Sequence, residues 1–257
     1  MNTNEISGKR QMEFLAGFDY IREAGTAGEE KAAALIQETL SSFGVESRLE
    51  EFSFDTFQIK KAKLTITEPY TKEYTVTGYG RCANTAEDGL KAPFVYAENG
   101  DDISLAQVKG KIVMVNDPVR KDMYQKLAKA GAVGFISIAG SPLDEGVDLI
   151  PRAYGLPKNL PGEEKKAAGK EAQNYDNRIS GVSIHYKDAI ELVTKGASQA
   201  CLVVEQETVT RTSRNVVAQI EGTDKAEEIL TLTAHYDSVP EGPGAYDNMS
   251  GGAIIME

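Results

Sequence analysis

Apolar residues recur at helical spacing from the start of the chain. Phe14, Phe18 and Ile21 fall at i, i+4 and i+7, which predicts an amphipathic helix over 12–24. Thr26-Ala27-Gly28-Glu29 then has the hydroxyl and, three residues on, the carboxylate of a capping box. The helix it opens carries Ala32, Leu35, Ile36, Leu40 and Phe43, and Gly44 supplies a C-terminal stop. A strand is predicted over 45–54.

From about Phe57 the texture changes. Short β-like runs occupy 63–67 and 73–79, on either side of a turn at Glu68-Pro69. The stretch 110–115 (GKIVMV) reads as a buried strand. Met123, Leu127 and Ala130 mark a short helix closed by Gly131, and 132–138 is a second buried strand. Strand, helix and strand at this spacing predict a small parallel unit. The Pro-, Gly-, Glu- and Lys-rich stretch 157–177 reads as a solvated loop or weak helix. A strand over 179–185 and a helix over 188–195 follow. Near the end, strands are predicted over 215–220 and 229–234 (ILTLTA), joined by a polar turn. His235-Tyr236-Asp237-Ser238 comes next, then a Gly/Pro loop and a helix starting near Asn248 or Ser250. No internal repeat is visible.

Composition narrows the function classes. The 257 residues are 41% hydrophobic and 26% charged, ordinary for a globular chain. The net charge of −11 argues against non-specific binding to nucleic acid or to an acidic membrane surface. No apolar run approaches the roughly 18 residues of a membrane span. The N-terminus shows no apolar core of a signal peptide, so a cytoplasmic location is expected. Cys82 and Cys201 are far apart and form no CxxC knuckle; two reduced thiols are expected. There are only two histidines, His185 and His235. His185 lies in an apolar strand with no acidic partner nearby in sequence and reads as structural.

His235 closes a predicted buried strand, which would place its imidazole at the carboxyl edge of a sheet, where open α/β sheets build their sites. Asp237, two residues on, points to the same side and could accept the ring N–H that a metal leaves free. Asp247 sits at a Gly-flanked turn leading into a helix, where a carboxylate could bridge two ions. A histidine with carboxylates suits Zn²⁺. On spacing alone, a lone histidine capping a strand, with Asp237 and Asp247 as loop residues, is the favoured account of the pattern.

The stretch 213–222 (SRNVVAQIEG), followed by LTAHYDS and GAYDNMSGGA, closely resembles the co-catalytic di-zinc exopeptidases, a family that includes bacterial leucyl aminopeptidases, glutamate carboxypeptidase II and the non-catalytic transferrin receptor. IREAGTAGEEKAAALIQETLSSFGVE resembles that family's opening helices. VKGKIVMVND, YQKLAKAGAVGFISI and ISGVSIHYKDAIELV resemble the protease-associated (PA) domain inserted in such enzymes. The resemblance implies an α/β fold: a mixed-sheet zinc-exopeptidase domain of the phosphorylase/hydrolase-like kind, incomplete here, with an inserted β-rich α/β PA domain. Its implied boundaries are 1–56 for the first part of the peptidase domain, 57–210 for the PA-like insertion and 211–257 for the start of the metal-binding part.

Carried over by residue, the resemblance makes His235 the first zinc ligand, Asp237 the carboxylate behind it and Asp247 the bridge between two zinc ions. The family's Glu-Glu pair, later Asp and final His find no counterpart before Glu257, and the general base is not carried onto Glu257. The implied function is a zinc-dependent exopeptidase, of aminopeptidase type, cleaving terminal peptide bonds with a two-metal activated water. Its partners are peptide substrates, and this chain alone is expected to hold part of the site and to be inactive. The alternative is a non-catalytic interaction module of the transferrin-receptor kind. A nucleotide-binding domain is disfavoured because neither GxGxxG nor GxxxxGK[ST] occurs.

Overall fold

The computed structural model describes residues 6–116, 118–141, 143, 151–152, 154–160, 175–225 and 227–257. They divide into two compact units, Met1–Asp55 with Thr210–Glu257, and Thr56–Val209. No helix among the described residues is long and apolar enough to cross a membrane.

The unit Thr56–Val209 is built on a mixed sheet. Four strands run parallel: β4 (Leu90–Tyr96), β5 (Ile112–Val115), β6 (Gly134–Ala139) and β7 (Ser180–His185). β3 (Val76–Gly78) pairs antiparallel with β7 at one edge, and β8 (Gln199–Ala218) pairs antiparallel with β4 on the other side. β1 (Ser47–Glu68) pairs with the short β2 (Lys72–Tyr74) beyond β8. All four residues of β5 are buried, the pattern of a parallel strand covered on both faces. After the one-turn helix α3 (Asp102–Leu105), helix α4 (Lys121–Lys129) turns Tyr124 and Leu127 into the core, and Gly131, at φ +82, reverses the chain into β6. The parallel unit expected over 110–138 is therefore present.

Aromatic packing leaves no slack in this core. Tyr79 and Tyr124 meet the Phe135 ring edge-on, at 4.9 and 6.1 Å between centroids. A Cβ added at Gly181 would stand 2.1 Å from the same ring. Gly181→Ala must displace Phe135 and its neighbours, and we expect a loss of about 1–3 kcal/mol, read as a lowered denaturant midpoint without loss of secondary structure.

The other unit contains helix α1 (Gly8–Ala16), helix α2 (Ala27–Ser42), the outer portions of β1 and β8, and the C-terminal helix α6 (Ser250–Met256). Its core is Phe18, Ala32, Ile36 and Met249, with Phe14, Leu35 and Tyr236 packed against it. The helix expected over 12–24 lies earlier in the chain. Ser7 caps it, its hydroxyl accepting from Arg10 N at 3.3 Å, and it stops before Gly17. Residues 18–22 leave helical geometry because the Arg22 guanidinium takes up their carbonyls directly. The expected capping box is also modified. Thr26 is the N-cap, but its hydroxyl donates to the Glu23 carbonyl, while Glu29 accepts from Gly25 N.

Two strand boundaries differ from expectation. The runs at 45–54 and 63–67 form one continuous strand, β1, since no Gly or Pro interrupts 47–68. The strand expected over 229–234 is absent. Ile229, Leu230 and Leu232 are 89, 87 and 64% exposed, and among the described residues no strand pairs with this segment. Without a ladder partner, an alternating apolar pattern does not make a strand. His235 is thus not at the carboxyl edge of a sheet. Most of the loop expected over 157–177 falls outside the described residues.

His185 closes β7 and caps helix α5 (Tyr186–Thr194), its Nδ1 accepting from Lys187 N at 3.3 Å. Cys82 and Cys201 are both free.

Candidate metal site

The segment 235–238 presents alternate side chains to opposite sides. Tyr236 and Ser238 face inward and are clamped. The Arg22 Nε donates to the Tyr236 carbonyl at 2.9 Å; Arg22 N donates to Ser238 Oγ at 2.8 Å, and Ser238 N returns a bond to the Arg22 carbonyl at 3.1 Å. Arg22 is fully buried, and its Nη1 also donates to the carbonyls of Phe18 and Tyr20. Burial depresses the Arg22 pKa, partly opposed by nearby Tyr20 and Asp237.

Glu29 is the second inward anchor. It is buried, and its Oε2 accepts from Gly25 N at 2.8 Å while its Oε1 accepts from Ser213 Oγ at 2.8 Å and Arg214 N at 3.2 Å. The Tyr236 hydroxyl lies 2.8 Å from Glu29 Oε1 and 2.6 Å from the Arg214 carbonyl, so its single proton serves one of two acceptors. Burial alone would raise the Glu29 pKa, but the hydrogen bonds converging on the carboxylate outweigh it and hold the group below its ordinary value.

With the inward side fixed, His235 and Asp237 face outward, with side chains 52 and 44% exposed. His235 Nδ1 lies 2.9 Å from Asp237 Oδ1, and Nε2 lies 2.9 Å from Asp247 Oδ1. The imidazole is therefore gripped at both nitrogens by carboxylates two and twelve residues further along the chain. Burial pulls its pKa down, but the two carboxylates more than compensate, and the net shift is upward. Neutral imidazole has one N–H and can satisfy only one of them; both bonds form in the imidazolium.

Asp247 reaches His235 through an irregular turn. Gly244 takes the left-handed conformation at φ +57, where a Cβ would stand 2.7 Å from the Asp247 carbonyl oxygen. A single π-helical turn, Ala245–Met249, follows, with Asp247 and Asn248 at non-helical dihedrals and a cis peptide bond between them. Met249 N donates to the Gly244 carbonyl at 3.3 Å, and the buried Met249 side chain anchors the turn in the core. Glu257, at the end of α6, is tied to α1 by Ser7 N and Arg10.

The donor set accommodates a metal in part. Zn–N and Zn–O bonds of about 2.0–2.2 Å let two donors 2.9 Å apart reach a single ion. Asp237 is placed to hold the other ring nitrogen as N–H, as metal-bound histidines require. Among the described residues no group of three or more His, Cys, Asp or Glu side chains could hold a metal ion. His235 and Asp247 thus form a pair, and His185 belongs to the other unit.

Residues 215–257 match the profile of Peptidase family M28. The chain is 28% identical over 248 residues to the probable lipoprotein aminopeptidase LpqL of Mycobacterium tuberculosis, covering 93% of this chain and 44% of the relative. It is 29% identical over 249 residues to aminopeptidase YwaD of Bacillus subtilis, covering 92% of this chain and 46% of the relative. The chain therefore spans about half the length of the curated relatives it matches. Among solved structures, a zinc aminopeptidase from Bacillus subtilis superposes with a TM-score of 0.69 at 24% identity, over 96% of this chain and 56% of that one. The fold is that of the zinc aminopeptidases.

Sequence reasoning identified His235, Asp237 and Asp247 and passed over the anchors behind them. Glu29 appeared only as half of a capping box, and Arg22 had no visible partner because its acceptors are main-chain carbonyls. The sequence around it, Asp19-Tyr20-Ile21-Arg22-Glu23, carries no signal of a buried arginine.

Proposed function

We propose that this chain works in a zinc-dependent exopeptidase of the aminopeptidase type, acting on peptide substrates. The observation that carries the reading is the imidazole of His235 held at 2.9 Å from a carboxylate at each nitrogen, on the outward side of a backbone clamped from within. The M28 profile over this same segment and the named aminopeptidase relatives support it. In this reading His235 Nε2 and Asp247 hold zinc, with Asp247 shared between two ions. Asp237 fixes the tautomer that leaves Nε2 unprotonated and raises its basicity. The clamp of Arg22 and Glu29 on Tyr236 and Ser238 holds the ligand segment in register. Bound zinc would polarise the scissile carbonyl and lower the pKa of its water. No described residue is assigned the role of general base. The unit Thr56–Val209 takes the part of the inserted PA domain.

Calorimetric titration with Zn²⁺ tests the ligand roles directly. The described residues supply fewer than the three protein ligands usual for catalytic zinc, so we expect weak binding. His235→Ala and Asp247→Ala should each abolish it, and Asp237→Asn should weaken it about 10–100-fold. In any active form of the protein, the same two alanine variants should remove hydrolysis of aminoacyl-nitroanilides. Unchanged zinc affinity in His235→Ala would overturn the assignment.

A further inference from the structure

The Asp247 side chain is 79% exposed, so burial does not aim it at His235. Its direction comes from the backbone on either side. Asp247 lies at φ −116, ψ 94 and Asn248 at φ −133, ψ 32, both outside the helical region. A ligand on such a stretch keeps its geometry only where the flanking peptide groups are themselves held.

The turn closes with its main-chain bonds one residue out of α-helical register. Met249 N donates to the Gly244 carbonyl and Ser250 N to the Ala245 carbonyl, each five residues back. In an α-helix, Ser250 N would take the Tyr246 carbonyl instead. The shift removes that donor, and the Ser250 side chain replaces it. Its Oγ donates to the Tyr246 carbonyl at 2.7 Å. A serine bonding four residues back is common in helices, where it competes with a main-chain N–H for the same carbonyl. Here the Ser250 N–H has moved to Ala245, and the hydroxyl takes its place.

The carbonyl it holds belongs to the peptide unit joining Tyr246 to Asp247. That unit is planar, so fixing its oxygen fixes the plane from which Asp247 departs. The Tyr246 side chain is 91% exposed, so packing does not hold this peptide. Ser250, by contrast, opens α6 directly after Met249, which is 1% exposed and part of the core. The hydroxyl thus ties the outer limb of the turn to its anchored limb. On the far side of Asp247, its carbonyl oxygen closes over Gly244, where no Cβ stands in the way.

We propose that Ser250 is a positioning residue for the metal pair, its hydroxyl holding Asp247 at His235 through the Tyr246 carbonyl. The inference rests on the reading of His235 and Asp247 as zinc ligands. Ser250 acts through the main chain and is not itself a ligand.

The test uses the whole chain with Ser250→Ala and Ser250→Thr. Alanine suits the first turn of a helix, so folding should survive. Threonine keeps the hydroxyl and should restore what alanine removes. The first readout needs no metal. At one fixed pH, the imidazole nitrogen signals of isotopically labelled His235 report its bond to Asp247. Ser250→Ala should move them part of the way to those of Asp247→Ala, while Ser250→Thr stays near wild type. The second readout is calorimetric titration with Zn²⁺. Affinity should fall about three- to tenfold in Ser250→Ala, the worth of one neutral hydrogen bond, and recover in Ser250→Thr. Amide exchange protection of α2 should match wild type in both variants. A serine that served only stability would lower that protection and leave the imidazole signals of the folded chain in place. Unmoved signals with full zinc affinity in folded Ser250→Ala would overturn the proposal, as would a Ser250→Thr chain that behaves like Ser250→Ala. Equal zinc affinity in wild type and His235→Ala would instead overturn the ligand reading, and the metal-free signals would still decide the role of Ser250.

Discussion

Glu29→Ala should destabilise the unit Met1–Asp55 with Thr210–Glu257 by about 3 kcal/mol or more. The carboxylate is 1% exposed and receives Gly25 N, Ser213 Oγ and Arg214 N, with the Tyr236 hydroxyl also in reach. Truncation leaves these buried donors facing a void, and each unsatisfied group costs about 1–3 kcal/mol before relaxation. Glu29→Gln is the sharper probe. It keeps the shape but puts an NH₂ against Gly25 N–H or against the hydroxyls, so part of the penalty persists. The pH dependence follows from the depressed Glu29 pKa. A carboxyl lowered on folding contributes stability that is fully present above its unfolded value, near 4.5, and is lost as pH falls through the folded value. The stability gap between wild type and Glu29→Gln should therefore be largest near neutrality and narrow in acid. Amide hydrogen exchange across α2 and residues 213–216 measures it locally, apart from the other unit. Equal protection in both proteins at neutral pH would contradict the anchoring role.

Arg22→Ala should have a comparable effect for a different reason. Three main-chain carbonyls, of Phe18, Tyr20 and Tyr236, share one guanidinium, and among the described residues no carboxylate neutralises it by direct contact. Removing the side chain deprives all three of their donor and opens a large cavity beside Phe18, so a loss of about 3–5 kcal/mol is expected. Arg22→Lys keeps the charge but supplies a single point of donors where a planar fork is needed, and should recover only part of it. Zinc affinity separates positioning from bulk stability. In Arg22→Lys chains that remain folded, Zn²⁺ binding should fall while exchange protection of α2 stays near that of wild type. A folded Arg22→Lys chain with full zinc affinity would show that the clamp does not set the ligand segment.

The parallel core was legible in the sequence because its signals are local. Buried runs such as 112–115 and the glycine stop at Gly131 leave few alternatives for the chain. The candidate ligands His235 and Asp247 were legible because they sit in a long ordered motif between 213 and 253. What pattern could not supply was tertiary. Leu230, Leu232 and Ala234 alternate with threonines as a strand should, yet strand formation is decided by a neighbouring ladder that local sequence does not encode. Thr26 and Glu29 carry a capping signature, but the carboxylate is drawn to a larger set of donors, brought together by residues more than 180 positions away. The helix expected to continue to residue 24 gave way to a turn for the same reason, since its carbonyls find a better donor in Arg22 than in their own helix.

The alternation at 235–238 also constrains how this stretch can change length. Inserting or deleting one residue there would exchange the two sides, turning the imidazole toward the Arg22 guanidinium and the tyrosine toward solvent. Only a two-residue change restores the original facing. Point substitutions can tune the ligands one at a time, whereas a single-codon insertion or deletion would undo the anchor and the site in one step.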